Sequence, residues 1–509
     1  MTLQEKIGQK LVVGFPGKEL DGEFIRMVKT YKIGNVVLFR HNIENCEQIG
    51  KLCGEIQSLV RRETGYPAFI CIDQEGGCVT RLPEDAANVP GEMALSATGD
   101  PKNARIAAGI TARELHALGV NFNYAPVADI NNNPDNPIIG ARCFGDTPET
   151  VTSYALEALE GYRENRLLVS AKHFPGHGDT DLDTHISLPR VAKSLEQMRE
   201  MELKPFQALI DAGCPAIMTT HILFPKLTQE NFPATMSRRI ITDLLKKEMG
   251  FRGLVVSDCM EMGAIRANYG TAAGAAMAMK AGVDLINVSH TESLAEEAAR
   301  YMKETVEKGE MDPAELDESV EKILRYKALY CREPVGRAGT PEAMAEARAH
   351  REKTIAAISA KMPPLGDNPL FVGCPEYQAG QVSNEVEQEK NFAWFMADRL
   401  GGRGIAIAKD PDEGEIAAVL EAVPEHSCVV LGTYNGHLSP GQRALIRELG
   451  RTKAPMAVVA LRNPYDLREL PAHVAGIAAW DYSPMTLEAL VPVLAGKKIP
   501  TGRIPVCLG

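Results

Sequence analysis

At 509 residues the chain is too long for one hydrophobic core, so two or more domains are expected. A hydrophobic share of 45% and a charged share of 24% are ordinary globular values. The formal net charge of −12, with no basic cluster, excludes functions that rest on neutralising nucleic-acid phosphates or an anionic membrane.

The chain opens on Met1-Thr2-Leu3-Gln4-Glu5-Lys6 and passes directly into an amphipathic pattern, without the basic and apolar regions of a secretion signal. No apolar run approaches the length of a membrane span. The 11 cysteines are scattered singly, with no Cys-x-x-Cys pair, and read as buried free thiols of a reducing compartment. A cytoplasmic protein with no membrane or nucleic-acid partner is expected; oligomeric state is left open.

Eight short apolar runs follow in order, at 10–15, 34–39, 68–72, 122–127, 167–171, 216–220, 253–257 and 283–288. Amphipathic stretches separate them, among them 46–61, 102–118, 149–165, 195–212, 238–249 and 271–280. Continuous apolar strands alternating with helices imply a parallel sheet covered by helices. Eight such units predict an α/β fold beginning with a (β/α)8 TIM-type barrel. An open doubly wound sheet is the rival, weakened because no Gly-x-Gly-x-x-Gly loop follows the first strand. A helix over 316–330 would close the unit, placing the catalytic barrel at 1–332. Residues 333–349 mix Pro, Gly, Ala and charge and read as a linker. Apolar runs at 370–372, 405–408, 428–431, 457–461 and 477–479 then predict a C-terminal α/β/α sandwich domain over 350–509. It carries no dense cluster of reactive side chains and reads as structural or oligomerising.

Polar residues gather after the barrel strands, the end where barrel enzymes place their chemistry. Strand three leads into Asp73-Gln74-Glu75-Gly76-Gly77, strand four into Ala128-Asp129-Ile130 and a loop ending at Arg142, and strand seven into Asp258. Strand five leads into Lys172-His173-Phe174-Pro175-Gly176-His177-Gly178-Asp179-Thr180 and on to Asp183 and His185, a stretch too polar for a core strand.

Asp258 at a buried strand's end is a candidate nucleophile or charge stabiliser, with a helix cap as the plain alternative. Asp183 and His185 are two apart; in extended backbone their side chains share a side, so the carboxylate could polarise the imidazole for acid/base work. Asp73, opposed by Arg81 and Arg142, could grip vicinal hydroxyls, although either arginine could instead be a strut between loops. One reading makes Lys172 and His173 hydrogen-bond donors to a sugar hydroxyl or carbonyl. The competing reading makes His173, His177, Asp179 and His185 metal ligands, but no established ligand spacing is present, so no metal or cofactor is expected.

Together these motifs resemble glycoside hydrolase family 3 in its N-acetyl-β-glucosaminidase branch. The stretch Lys172-His173-Phe174-Pro175-Gly176-His177-Gly178-Asp179 is the most specific, joined by Ala125-Pro126-Val127-x-Asp129, Gly140-x-Arg142-x-Phe144-Gly145 and Ser257-Asp258. The likeness covers about residues 1–330, and the remainder resembles the sandwich domain of two-domain members. It implies a retaining exo-β-N-acetylglucosaminidase without cofactor, acting on small GlcNAc glycosides such as muropeptides in cell-wall recycling. By this carry-over Asp258 is the nucleophile, His185 with Asp183 the acid/base, and Asp73, Arg81, Arg142, Lys172 and His173 hold the sugar. Cys78 and Cys259 stand where the family commonly has Arg and Asp. Since an imidazole acid does not repel phosphate as a carboxylate would, the alternative is an N-acetyl-β-glucosaminide phosphorylase. A non-catalytic sugar-binding protein and a metal hydrolase are the remaining readings.

Overall fold

The computed structural model describes residues 1–180, 188–358, 362–377 and 391–508. Eight parallel strands form the first sheet: β1 (Leu11–Val13), β2 (Asn35–Leu38), β3 (Phe69–Ile72), β4 (Phe122–Asn123), β5 (Leu168–Phe174), β6 (Ala216–Thr219), β7 (Leu254–Val256) and β8 (Ile286–Val288). Their spatial order is β7-β6-β5-β4-β3-β2-β1-β8. A parallel bridge between Val256 and Leu285 joins the two edges, so the sheet closes into the expected barrel.

Most of these strands are short, and buried polar side chains complete their ladders. Asn35 donates to the Gln9 and Leu11 carbonyls, Asn121 accepts from the Ile70 N–H, and Asp284 accepts from the Val255 N–H. Inside the barrel, Val12, Phe69, Phe122, Tyr124, Leu168, Met218 and Leu254 pack into one cluster. Phe122 meets Phe69 and Tyr124 edge-on at centroid distances of 5.5 and 5.2 Å, a favourable aromatic geometry.

The surrounding helices follow their sequence signals. Cys46–Thr64 starts where the Asn45 side chain accepts from the Gln48 N–H and stops at Gly65, whose φ of 79° suits glycine. Its buried residues, Ile49, Leu52, Cys53, Ile56, Leu59 and Val60, recur at helical spacing and face the sheet. The helix expected over 195–212 is two pieces, Leu195–Glu200 and Leu203–Asp211. At the break, Oε1 of the buried Glu202 carboxylate accepts from both Lys193 and Asn132.

The second sheet contains β9 (Ala356–Ile358), β10 (Pro369–Gly373), β11 (Arg403–Ala406), β12 (Cys428–Thr433), β13 (Met456–Ala460) and β14 (Ala475–Ala478), in the order β11-β10-β12-β13-β14-β9. Five strands are parallel; β9 alone pairs antiparallel, on the edge. Much of the stretch expected as a linker at 333–349 is instead helical, in Pro341–Thr354. The Thr340 side chain caps it, Pro341 opens it, and alanine, glutamate and arginine carry it on. Ala347, His350 and Arg351 are buried, so this helix is a packed strut between the two sheets. No helix among the described residues is long and apolar enough to cross a membrane.

Candidate active site

Strand β5 runs further than its apolar run suggests and ends in Lys172, His173 and Phe174. Its pairing with β6 shifts register between Ala171 and Phe174, two steps on β6 against three on β5. Such a bulge bends the strand and re-aims its side chains. Lys172 and His173, the bulged residues, both line a hollow at the carboxyl ends of the strands. The Lys172–His173 and Phe174–Pro175 peptides are cis.

Asp73, Arg81, Arg142, Lys172, His173 and Asp258 all line this one hollow, with Val37, Tyr124, Met218 and Met262 as apolar wall. Six of the eight side chains singled out from the sequence therefore meet. The other two, Asp183 and His185, fall in 181–187, outside the described residues. The segment leading to them is tethered: Asn136 Nδ2 reaches the His177 and Gly178 carbonyls at 3.0 Å each and Thr180 Oγ1 at 3.3 Å.

Two ionic assemblies shape the site. In the first, Lys172 Nζ lies 2.6 Å from Asp73 Oδ1 and 2.6 Å from Glu75 Oε1. Glu75 also takes the Arg142 fork, Nε at 2.9 Å and Nη2 at 2.8 Å. Burial opposes the Glu75 charge, but Arg142 and Lys172 outweigh it and hold the carboxyl well below the usual carboxylate range. Burial likewise opposes the Lys172 ammonium, and Asp73 and Glu75 raise its pKa nonetheless. Asp73, with 17% of its side chain exposed, is the member open to a ligand. Arg142 thus does not oppose Asp73 directly; it straps the loop after β4 to the loop after β3 through Glu75.

In the second assembly, His173 Nδ1 donates to Asp129 Oδ2 at 2.6 Å, which leaves Nε2 for the hollow. Asp129 also accepts the backbone N–H groups of His173 and His177. Burial would raise the Asp129 pKa, but His173 and those bonds lower it. Burial, then the charge of His173, push the His177 pKa down to about 4, so His177 is neutral at physiological pH. Its Nδ1 lies 3.1 Å from Thr180 Oγ1.

Asp258 follows β7 by two residues. Its Oδ1 accepts the Cys259 N–H at 2.7 Å, and the Cys259 carbonyl accepts from His221 Nε2 at 2.9 Å. Alongside, Tyr124 OH donates to Asn287 Oδ1 and Asn287 Nδ2 donates to the Ser257 carbonyl, bracing β7 against β8. Burial pushes the Cys259 thiol up to about 12, so the neighbour of Asp258 is uncharged. Phe39 and His290, 4.7 Å apart, form an aromatic rim.

Glu75, Asp129, Tyr124, Asn287 and His221 were not among the sequence candidates. Glu75 and Asp129 carried the same signal as Asp73, a carboxylate just past an apolar run. Tyr124, Asn287 and His221 gave none, because their role depends on neighbours remote in sequence. Chemically, the hollow offers one carboxylate suited to accept hydroxyl protons, cationic and imidazole donors beside it, and a second carboxylate against an apolar wall.

The N-terminal domain model of glycosyl hydrolase family 3 matches residues 2–326. The chain belongs to glycoside hydrolase family 3. A solved family 3 β-N-acetylglucosaminidase from Paenibacillus sp. str. FPU-7 is 36% identical with a TM-score of 0.92, covering 100% of this chain and 99% of its own. Beta-hexosaminidase A of Pseudoalteromonas piscicida is 28% identical across 95% of this chain and 91% of its own length. The beta-hexosaminidase of Stenotrophomonas maltophilia (strain K279a) is 35% identical across 55% of this chain and 84% of its own. The first two similarities span both sheets, and the third matches little more than half of the chain.

Proposed function

We propose that this glycoside hydrolase releases terminal β-linked N-acetylglucosamine with retention of configuration. Asp258 attacks the anomeric carbon to form a covalent glycosyl-enzyme. His185, oriented by Asp183, protonates the leaving oxygen and then accepts a proton from the attacking water. Asp73, Lys172, Arg81 and His173 hold the sugar hydroxyls, and Arg142 holds Glu75 beneath them.

One observation carries this reading: Asp258 lines the same hollow as the Asp73–Lys172 pair. A nucleophile and a polyol grip around one space are what the reaction needs. Asp183 and His185 follow closely in sequence on Thr180, which is tied to the Asn136 side chain. The related enzymes named for β-N-acetylglucosaminides and β-hexosaminides favour an N-acetylated sugar. Small GlcNAc glycosides, muropeptides among them, are the proposed substrates, and the cytoplasm the proposed compartment.

The test is hydrolysis of an aryl β-N-acetylglucosaminide against the plain aryl β-glucoside, with and without phosphate. Preference for the N-acetylated substrate and release of free sugar in phosphate buffer are expected. Sugar 1-phosphate as the main product assigns the enzyme to the phosphorylase class instead. Near-wild-type turnover by Asp258→Ala removes the nucleophile from the scheme.

A further inference from the structure

The second domain reaches the turn that carries Arg142 through a loop of its own. After β13 the chain runs through Asn463 into a short helical turn, Pro464–Leu467. The Asn463 side chain is buried, and its Oδ1 accepts the Ala141 N–H at 2.8 Å. Its Nδ2 donates to Asn435 Oδ1 at 2.8 Å, which fixes the amide's orientation. Two residues on, Tyr465 OH accepts from Asn131 Nδ2 at 2.8 Å, and Asn131 Oδ1 accepts the Gly140 N–H at 3.1 Å. Both N–H groups at the start of the Gly140–Arg142 turn thus depend on residues of the second sheet, one directly and one through Asn131.

The approach is close enough to constrain the sequence. Gly140 has φ 45°, and a Cβ there would stand 2.2 Å from Asn463 Oδ1. Only glycine allows both the left-handed backbone and the contact. The next residue but one is Arg142, whose guanidinium forks onto Glu75, and Glu75 in turn shares Lys172 with Asp73. The chain of contacts runs unbroken from Asn463 to the carboxylate that meets the ligand.

We propose that Asn463, steadied by Asn435 and seconded by Tyr465, is a positioning residue that holds the Gly140–Arg142 turn at the height at which Arg142 engages Glu75, so that the second domain sets the sugar grip of the barrel. This rests on the reading of Asp73, Lys172 and Arg142 as parts of that grip. The domain is then a working part of the active site without touching substrate.

The experiment is steady-state kinetics of the full chain on an aryl β-N-acetylglucosaminide. Asn463→Ala leaves the buried Ala141 N–H without its partner, a loss that lets the turn move. KM is expected to rise about tenfold while kcat falls less than about threefold, since ground-state binding is what loosens. In an Arg142→Lys background, Asn463→Ala is expected to add little, because a residue that acts through Arg142 has nothing left to position. Arg142→Lys with unchanged KM refutes the grip itself. A KM effect in Arg142→Lys with none in Asn463→Ala, or fully additive effects in the double variant, overturns the positioning role alone. Should Asn463→Ala not fold, Asn435→Ala releases the same amide more gently, and an unchanged KM there overturns the proposal equally.

Discussion

Glu75 is the most exacting place to perturb this enzyme. Its carboxylate is almost fully buried and takes charge-assisted bonds from both Arg142 and Lys172. Glu75→Gln keeps the shape and removes the charge, leaving Arg142 without its carboxylate and Lys172 with Asp73 alone. Breaking a buried ion pair by removing one partner costs ~3–5 kcal/mol. Here the lower end applies, about 3 kcal/mol, because the glutamine oxygen still accepts and Lys172 keeps Asp73 at 2.6 Å. Urea unfolding followed by circular dichroism reads this directly. The pH dependence adds a second constraint. The folded Glu75 pKa is depressed, so its contribution is present above the ordinary carboxylate value of 4.5 and is lost as pH falls through the lower folded value. The gap between wild type and variant should be flat from neutral pH down to about 5 and should close below that. A gap under about 0.5 kcal/mol at pH 7, or one that widens on acidification, refutes the ionic network as drawn.

Three further outcomes follow from the same geometry. His185→Ala should lose at least about tenfold more activity on a poor leaving group than on an activated aryl one, and equal losses count against an acid role. The His177 pKa falls from 6.5 to about 4 on folding, so the unfolded chain binds the extra proton and stability declines as pH drops through that window. The decline attributable to His177 is roughly 3 kcal/mol at 1.36 kcal/mol per pH unit; His177→Asn should flatten the profile between these pH values, and an unchanged slope contradicts the assignment. Iodoacetamide at pH 8 should alkylate the exposed Cys507 while sparing the buried Cys53, whose thiol burial holds near 12; comparable labelling of both contradicts that burial.

The barrel was legible because its strands are buried on both faces and read as unbroken apolar runs. The short antiparallel β9 was not, since Ala356–Ile358 offers three residues and no periodicity. The Pro341–Thr354 helix does not stand out because its composition is mixed, yet Thr340 and Pro341 are a usable start signal. Within the site, residue type at strand ends found Asp73, Lys172, His173 and Asp258, but not which carboxylate Arg142 would bind. That choice depends on the approach of two loops, and spacing along the chain does not encode it. Asn463 reads locally as a turn residue; its contact with Ala141 exists only once both sheets have folded together.

The central claim is that Asp258 carries the sugar as a covalent ester. Mass spectrometry of enzyme acid-quenched during turnover of a slow aryl β-N-acetylglucosaminide, followed by peptide mapping, tests it most directly. The predicted result is one added N-acetylhexosaminyl mass on the peptide containing Asp258. The same mass on a peptide bearing Asp73, with the Asp258 peptide unmodified, contradicts the account.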